Sequence, residues 1–334
     1  MTPQISPAGL LRGEDARRMV AAGLALPLGA ALAHGHHEEA VRGPDGTVAR
    51  RLLPLDAAPA YPDPGPPRIM GIVNTTPDSF SDGGRFLGRA GIEQAERLVA
   101  AGAHILDIGG ESTRPGAAEV SIAEEIDRVC PVIAGAKALG VPISVDTRKA
   151  AVMKAALAAG ATIVNDVSAL GHDPEAAPFL ATADCPVVLM HARGTPATMQ
   201  QAPRYDDLRF EVVAELAAAC ARAVAAGIAR HRLIVDPGIG FAKTVAHNAA
   251  LVDGLHALHA LRLPILLGVS RKSFIGRIAG NRGGGDMPAD ARLPGSLAVA
   301  LMGLDRGAAI LRVHDVAETV QAVKLWAALA ISDV

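Results

Sequence analysis

The chain has 334 residues, of which half are hydrophobic and 3% are aromatic, and its formal net charge is −2. This length suffices for one large domain or two average ones, with ample material for a buried core. The nearly neutral balance excludes a strongly basic surface of the kind that attracts nucleic acid or an anionic membrane.

Residues 1–60 are expected to form an irregular extension that packs against the flank of the main domain. Within it, residues 17–35 resemble a secretory signal, because two arginines precede an apolar stretch. Acidic residues precede the arginines, however, and Pro27 interrupts the apolar stretch, so we do not expect export. The tract "HGHHEEA" at residues 34–40 is either a metal site or a solvated loop, and we favour the loop.

The cysteines are few, scattered and odd in number: Cys130, Cys185 and Cys220. This usage is typical of small buried thiols in a reducing compartment. No segment reaches the ~18 uninterrupted apolar residues that a membrane-spanning helix needs. We therefore expect a cytoplasmic protein whose partners include neither a membrane nor nucleic acid.

Residues 61–67, "YPDPGPP", contain four prolines and one glycine. Such a segment can form neither a helix nor a central strand. We therefore divide the chain into an N-terminal extension with its proline-rich linker, residues 1–67, and a main domain, residues 68–334.

Short apolar runs alternate with alanine-rich segments of helical periodicity in the main domain. Eight runs are predicted as strands: 68–74, 104–110, 142–147, 162–167, 186–191, 233–238, 264–270 and 309–315. Gly140 and Gly160 follow two of the helical segments, where a left-handed residue commonly ends a helix. Eight such units in roughly 250 residues are typical of a (β/α)8 TIM barrel, an α/β fold. An open doubly wound sheet is the alternative.

Polar residues gather at the C-terminal ends of these runs. They are Asn74, Asp107, Asp146, Asn165, Asp166, His191, Asp236, Ser270, Arg312 and His314. Any one of them could merely satisfy a loop amide, but a barrel brings all eight strand ends to the face where its active sites lie. The pattern therefore predicts a catalytic face.

The motifs at these strand ends resemble those of dihydropteroate synthase, an enzyme family of folate biosynthesis. In chain order they are "GIVNTTPDSFSDGG", "DIGGESTRPGA", "SVDT", "NDV", "LMH", "DPGIGFAK", "SRKS" and "RVHDV". The resemblance extends from about residue 68 to the C-terminus. It implies condensation of 6-hydroxymethyl-7,8-dihydropterin pyrophosphate with 4-aminobenzoate to give 7,8-dihydropteroate and pyrophosphate, with Mg²⁺ as cofactor.

The resemblance also implies roles for individual residues. The pterin is bound by Asp146, Asn165, Met190, Asp236 and Lys272. The pyrophosphate is bound by Asn74, Thr113, Arg114, Arg312 and His314, and Asn74 is also the metal ligand. The 4-aminobenzoate ring is flanked by Phe80, Pro115 and Ser273. The residues expected to be catalytic are Asp146, Arg114, Lys272, Arg312 and His314.

The residue types suit this chemistry by themselves. Buried carboxylates and an amide match the donor-rich edge of a pterin, and cations stabilise the charge that develops on a leaving pyrophosphate. Plainer roles stay open: Arg312 could pair with a barrel acid such as Asp107, His314 could be a core histidine, and Met190 could fill the core. Asp315 is expected to cap the last helix, "VAETVQAVKLWAAL".

Two loops, residues 75–90 and 111–120, are rich in Gly, Pro and Ser. They are either lids that exclude water from the second substrate or simple connections. Likewise, Asp146 or Asp236 taken alone could cap a following helix.

We expect an SN1-like reaction, because a pterin can delocalise the cation that remains on its methylene when pyrophosphate departs. Asp146 would stabilise that cation, and the sequence offers no G-x-S-x-G nucleophile motif. The alternatives are a pterin-dependent methyltransferase, which would not need Arg114, Arg312 and His314, and a catalytically inactive pterin-binding paralogue. We also expect a homodimer, since such barrels often pair through their outer helices.

Overall fold

The computed structural model describes residues 3–28, 32–58, 61–63, 65–75, 85–112, 119–194, 199, 203–280 and 286–331. Its first elements are β1 (Gln4–Arg12), α1 (Gly13–Ala21), β2 (Leu26–Pro27), β3 (Leu32–Arg42) and β4 (Val48–Leu53). The four strands form an antiparallel sheet in which β3 pairs with each of the others. The expectation of an irregular extension is therefore wrong.

The histidine-rich tract lies within β3, so the expectation of a solvated loop is also wrong. His34 and His37 are fully buried, and Nδ1 of His37 lies 3.1 Å from the hydroxyl oxygen of Tyr61. Sequence patterns miss this sheet because β1 and β3 pair residues that are distant in the chain, and because Pro7 and Gly35 favour loops over strands.

The N-terminal sheet packs against the flank of the main domain, as expected. β1 contacts residues 255–261, and α1 contacts the C-terminal helix. Among the described residues, the ion pairs Arg12–Asp305, Arg42–Glu211 and Arg50–Asp207 join the sheet to the main domain. The extension is thus tied to both the middle and the end of the following chain.

All eight predicted strands of the main domain are present. They are β5 (Arg68–Asn74), β6 (Ile105–Gly109), β7 (Ile143–Asp146), β8 (Ile163–Asp166), β9 (Val187–Met190), β10 (Leu233–Asp236), β11 (Leu266–Leu267) and β12 (Ile310–Val313). Each is parallel to its neighbours, in the order β10-β9-β8-β7-β6-β5-β12-β11. Val235 pairs with Ile265 across the remaining seam. The sheet therefore closes into the predicted (β/α)8 barrel, and the open-sheet alternative is wrong.

Helices cover the outside of the barrel. They are α2 (Arg85–Ala100), α3 (Ile122–Ala136), α4 (Ala150–Ala159), α5 (Ala176–Thr182), α6 (Leu208–Ala225), α7 (Val245–Asp253), α8 (Ser273–Ala279), α9 (Leu293–Leu304) and α10 (Val316–Ile331). The hydroxyl oxygen of Ser121 caps α3 by accepting from the Glu124 N–H. Gly140 and Gly160 have φ values of +74° and +122° where helical segments end, as predicted.

Two details differ from expectation. The predicted loop 75–90 is too long, because α2 already begins at Arg85. This helix buries Ala95 and Leu98. The carboxylate of Asp315 forms an ion pair with Arg271 next to the start of α10. None of the helices in the described ranges combines the length and apolar character that crossing a bilayer requires.

The barrel interior has an apolar floor and a polar upper layer. The floor is a buried cluster contributed by most of the strands: Met70, Ile105, Ile163, Val188, Leu266, Ala309 and Ile310, with Ile234 packed against it. Alternate residues of a strand point to the same face. The residue two positions after a floor residue therefore also points into the barrel, one layer nearer the C-terminal ends. In five strands that residue is polar or a methionine: Asp107, Asn165, Met190, Asp236 and Arg312.

Candidate active site

A cavity lies above the apolar floor, at the C-terminal ends of the strands. Its empty volume, which includes space open to solvent, is about 350 Å³. It is lined by Asp146, Asn165, Val167, Met190, Asp236, Ile239, Phe241, Gly268, Lys272 and Arg312. Strand register explains the arrangement, because Asp146 lies opposite Asn165 across β7 and β8, and Met190 lies opposite Asp236 across β9 and β10. All five residues predicted to bind the pterin, together with Arg312, thus share one cavity.

A larger groove, of about 880 Å³, lies at the same end of the barrel. Its walls include Glu119, Ser121, Lys149 and His172. None of the predicted site residues in the described ranges lines this groove, and it opens widely to solvent. We therefore place the candidate site in the smaller, more enclosed cavity.

Arg312 organises the centre of the cavity by binding two carboxylates at once. Its Nε atom donates to Oδ2 of Asp107 at 2.6 Å, and one terminal nitrogen donates to Oδ2 of Asp146 at 2.7 Å. The Asn165 amide also donates to Oδ2 of Asp107, at 3.2 Å. The sequence alternative that Arg312 pairs with a barrel acid such as Asp107 is therefore confirmed.

The two carboxylates keep unused acceptor atoms. Oδ1 of Asp107 and Oδ1 of Asp146 are buried and have no hydrogen-bond partner in the described structure. Burial raises the pKa of Asp146, and the positive charge of Arg312 opposes that rise. A buried acceptor without a partner is unfavourable, so a ligand that brings N–H groups to this cavity would be stabilised.

Asp236 is held at the opposite wall by the loop that follows β10. Its Oδ1 atom accepts from the Gly238 N–H at 2.6 Å. Burial raises the pKa of Asp236, whereas the Gly238 N–H and the charges of Lys272 and Arg312 lower it. The ammonium group of Lys272 lies 4.4 Å from the centre of the Phe241 ring, which forms the neighbouring wall. This wall therefore combines an aromatic face, a cation and a carboxylate.

The turn at Gly238 permits this geometry. Gly238 has a φ of +67°, and a Cβ atom placed there would lie 1.8 Å from the carbonyl oxygen of His191. We expect Gly238→Ala to lower the free energy of unfolding by about 3 kcal/mol or more, since left-handed strain and steric overlap add.

Gly140→Ala is the matched control, because Gly140 has a φ of +74° with no atom within 4 Å of its ideal Cβ. It isolates the backbone cost, which we expect to be about 1 kcal/mol. Urea unfolding followed by circular dichroism measures the free energy of unfolding of both variants. Equal losses in the two variants would show that the approach to His191 is unimportant.

The remaining predicted residues divide into two groups. In the described structure Asn74 ends β5 opposite Gly109, Ser273 is exposed at the start of α8, and His314 follows β12. These three do not line the cavity. Phe80, Thr113, Arg114 and Pro115 lie outside the described residues.

His314 is neutral at physiological pH. Its Nδ1 atom lies 3.0 Å from the Ser270 hydroxyl oxygen. Burial lowers the pKa of His314 to about 4, and the charges of Arg312 and Arg271 contribute to that shift. It can therefore supply a hydrogen bond rather than a permanent charge.

A buried polar network that was not predicted from the sequence lies beside the cavity. Lys243 and His191 are buried and bonded to each other, and Glu215 on α6 binds both His191 and Arg193. The motif "DPGIGFAK" ends at Lys243, and His191 ends a predicted strand, so both residues belong to patterns recognised in the sequence. The contact between them was not, because it joins residues 52 positions apart.

Comparisons with known proteins identify the family. A sequence model of pterin-binding enzymes matches residues 70–314. Dihydropteroate synthase of Neisseria meningitidis serogroup B is 49% identical over 272 residues, which cover 80% of this chain and 94% of that protein. The structure of Xanthomonas albilineans dihydropteroate synthase with 4-aminobenzoic acid has 46% sequence identity and a TM-score of 0.73, and covers 84% of this chain and 95% of that one.

The same Xanthomonas albilineans enzyme in complex with 7,8-dihydropteroate gives 44% identity and a TM-score of 0.71, with coverage of 84% and 96%. The family match begins at residue 70, after the N-terminal sheet. The barrel, its motifs and these relatives agree. The chain belongs to the pterin-binding enzyme family and, within that family, to the dihydropteroate synthases.

Proposed function

We infer that this enzyme transfers the pterin-methylene group of 6-hydroxymethyl-7,8-dihydropterin pyrophosphate to the amine of 4-aminobenzoate, releasing 7,8-dihydropteroate and pyrophosphate. The observation that carries the inference is the enclosed cavity in which six predicted residues meet, in a chain 49% identical to a dihydropteroate synthase. The reaction is a transferase reaction in folate synthesis.

The roles proposed for the cavity residues follow from their chemistry. A pterin presents adjacent N–H groups beside ring acceptors. Asp236 accepts from the amino and ring N–H groups, and Asn165 pairs with the neighbouring edge. Lys272 donates to the carbonyl and ring nitrogen, while Met190 forms part of the apolar wall. The partnerless oxygen of Asp146 supports a role toward the other ring.

Departure of pyrophosphate needs positive charge and hydrogen-bond donors at the leaving group. Arg312, whose side chain is 22% exposed, borders the cavity and supplies a fixed charge. His314 supplies a hydrogen bond, and Thr113 and Arg114 complete the anion site in this proposal. Asp146 then stabilises the cationic pterin that remains when the C–O bond to pyrophosphate breaks, in an SN1-like step with no covalent enzyme intermediate. The amine of 4-aminobenzoate adds to the methylene carbon and releases one proton to the solvent. Phe80, Pro115 and Ser273 are proposed to flank its ring.

Mg²⁺ is proposed to accompany the pyrophosphate. The described residues hold no group of three or more His, Cys, Asp or Glu side chains that could bind a metal ion. The donor chemistry still fits, since Mg²⁺ keeps most of its waters and takes one or two protein oxygens plus substrate phosphates. The amide oxygen of Asn74 is the proposed protein ligand. When bound, the ion neutralises part of the charge on the leaving group.

The direct test mixes purified protein with dihydropterin pyrophosphate, 4-aminobenzoate and Mg²⁺, and measures both products. We expect equal amounts of pyrophosphate and dihydropteroate, and loss of turnover when a chelator removes Mg²⁺. A heat-inactivated sample is the control. Product no greater than in that control would contradict the inference, whereas full turnover with chelator would contradict only the metal.

The homodimer and the cytoplasmic location stay predictions from the sequence. Sedimentation equilibrium tests the first of them directly. A single species of about 34 kDa, the mass of one chain, would contradict the dimer.

A further inference from the structure

Lys243 is a buried cation at the end of the loop that follows β10. The residue is only 3% exposed to solvent. The ammonium group donates to the Phe241 carbonyl oxygen at 2.9 Å and lies 2.9 Å from Nδ1 of His191. It therefore joins the loop that forms one wall of the cavity to the segment that follows β9.

The proton positions in this network follow from its donors and acceptors. An ammonium group can only donate, so Nδ1 of His191 must accept from Lys243. The ring proton then resides on Nε2, which donates to Oε2 of Glu215 at 3.1 Å. Burial lowers the pKa of His191, which keeps the ring neutral. Although burial opposes it, hydrogen bonds from His191 and Arg193 lower the pKa of Glu215 to about 2, so Glu215 is ionised.

Lys243 and Asp236 are electrostatic neighbours. Burial lowers the pKa of Lys243 to about 7, and the negative charges of Asp236 and Glu215 limit the fall. In turn, Lys243 is one of the cations that oppose the burial-driven rise in the pKa of Asp236. The charged and titratable groups around Lys243 are Asp236, Glu215, His191, Arg193, Lys272 and His247.

We propose that Lys243 is a positioning residue of the dihydropterin site: held by His191, it offsets the charge of Asp236, fixes the backbone at Phe241 and thereby sets pterin affinity. The proposal rests on the role of Asp236 given above. It assigns no proton transfer to Lys243, which acts through residues that touch the substrate.

The test measures the dissociation constant of 6-hydroxymethyl-7,8-dihydropterin by fluorescence between pH 6 and 9, together with KM and kcat. We expect Lys243→Met to weaken binding about tenfold or more at pH 6.5, the size of roughly one pKa unit of charge interaction. KM for dihydropterin pyrophosphate should rise more than kcat falls. Lys243→Arg, which keeps the charge, should restore most of the affinity.

The pH profile separates this role from a merely structural one. As pH rises through about 7, Lys243 loses its proton. Its positive charge then no longer offsets the negative charge of Asp236, and the affinity for dihydropterin falls. Lys243→Met should lack this step, while titration of the ligand itself is common to all variants. Glu215→Gln should move the step to lower pH, because the Glu215 charge raises the pKa of Lys243.

Lys154→Met is the matched control, since Lys154 is exposed on the outside of α4. It should behave as the unchanged protein does. If Lys243→Met kept the same pH step, or if Glu215→Gln left the step in place, the proposal would be overturned. If Lys243→Met fails to fold, Glu215→Gln alone decides, because the Glu215 side chain is 41% exposed and tolerates change. If the unchanged protein formed no dihydropteroate, that result would instead contradict the proposed reaction.

Discussion

We expect Arg312→Ala to lower kcat about 100- to 1000-fold, the usual effect of removing one donor that stabilises developing negative charge. Affinity for dihydropterin lacking pyrophosphate should fall by a much smaller factor than kcat, because Asp236, Asn165 and Lys272 still recognise the pterin after the charge of Arg312 is lost. Steady-state kinetics and fluorescence binding measure the two effects. An equal fall in both would contradict the proposed anion-binding role.

The same substitution should also destabilise the fold. It leaves Asp107 and Asp146 as two buried acids without their shared cation, which costs about 3 kcal/mol or more. Burial raises the pKa of Asp146, so the penalty should shrink as pH is lowered and the acid takes up its proton. Arg12→Ala is the control, since its ion pair is 42% exposed on the arginine side and should contribute under about 1 kcal/mol. A penalty that is the same at pH 5 and pH 8 would show that Asp146 is not strained by burial.

Asp236→Asn should weaken dihydropterin binding about 100-fold or more. The carboxylate accepts from the Gly238 N–H with one oxygen and is proposed to accept from the pterin with the other. The asparagine side chain has the same shape but only one oxygen. Its NH2 group must therefore face a hydrogen-bond donor, either the Gly238 N–H or the pterin N–H groups. The lost charge-assisted bond and the opposed donors together cost about 3 kcal/mol.

Asp184→Asn provides the matched control for that change. Asp184 is exposed and precedes β9, at the opposite end of the barrel. Isothermal titration with dihydropterin measures both variants. Affinity of Asp236→Asn within about threefold of the unchanged protein would contradict the recognition role, because opposed donors cost more than that.

Much of the barrel was predictable because its signals are local. Each strand is a short apolar run, and strand alternation alone places Asp107, Asn165 and Arg312 on the inner face. The cavity followed from one rule, that a barrel gathers its strand ends on one side. That Arg312 pairs with Asp107 and Asp146 at once was not predictable, since the pairing depends on the positions of those two side chains.

The features that could not be predicted are contacts between residues that are distant in the chain. The N-terminal sheet joins β1 to β3 through residues that a local reading assigns to loops, including Pro7 and the histidine-rich tract. The Lys243–His191 contact depends on where a loop and a strand end meet, and Glu215 comes from one face of α6. Neither strand alternation nor helical periodicity specifies such contacts between distant residues.

The ion pairs of the N-terminal sheet have a consequence for how the protein is made. Arg50 and Arg42 bind partners 157 and 169 residues further along, and Arg12 binds Asp305, 293 residues away. At ribosomal rates the last of these partners emerges on the order of tens of seconds after the sheet. Until then the strands that bury His34 and His37 lack part of their docking surface, and their edges are open to wrong pairing. The part of the chain that is synthesised first is therefore the part that can complete its packing last.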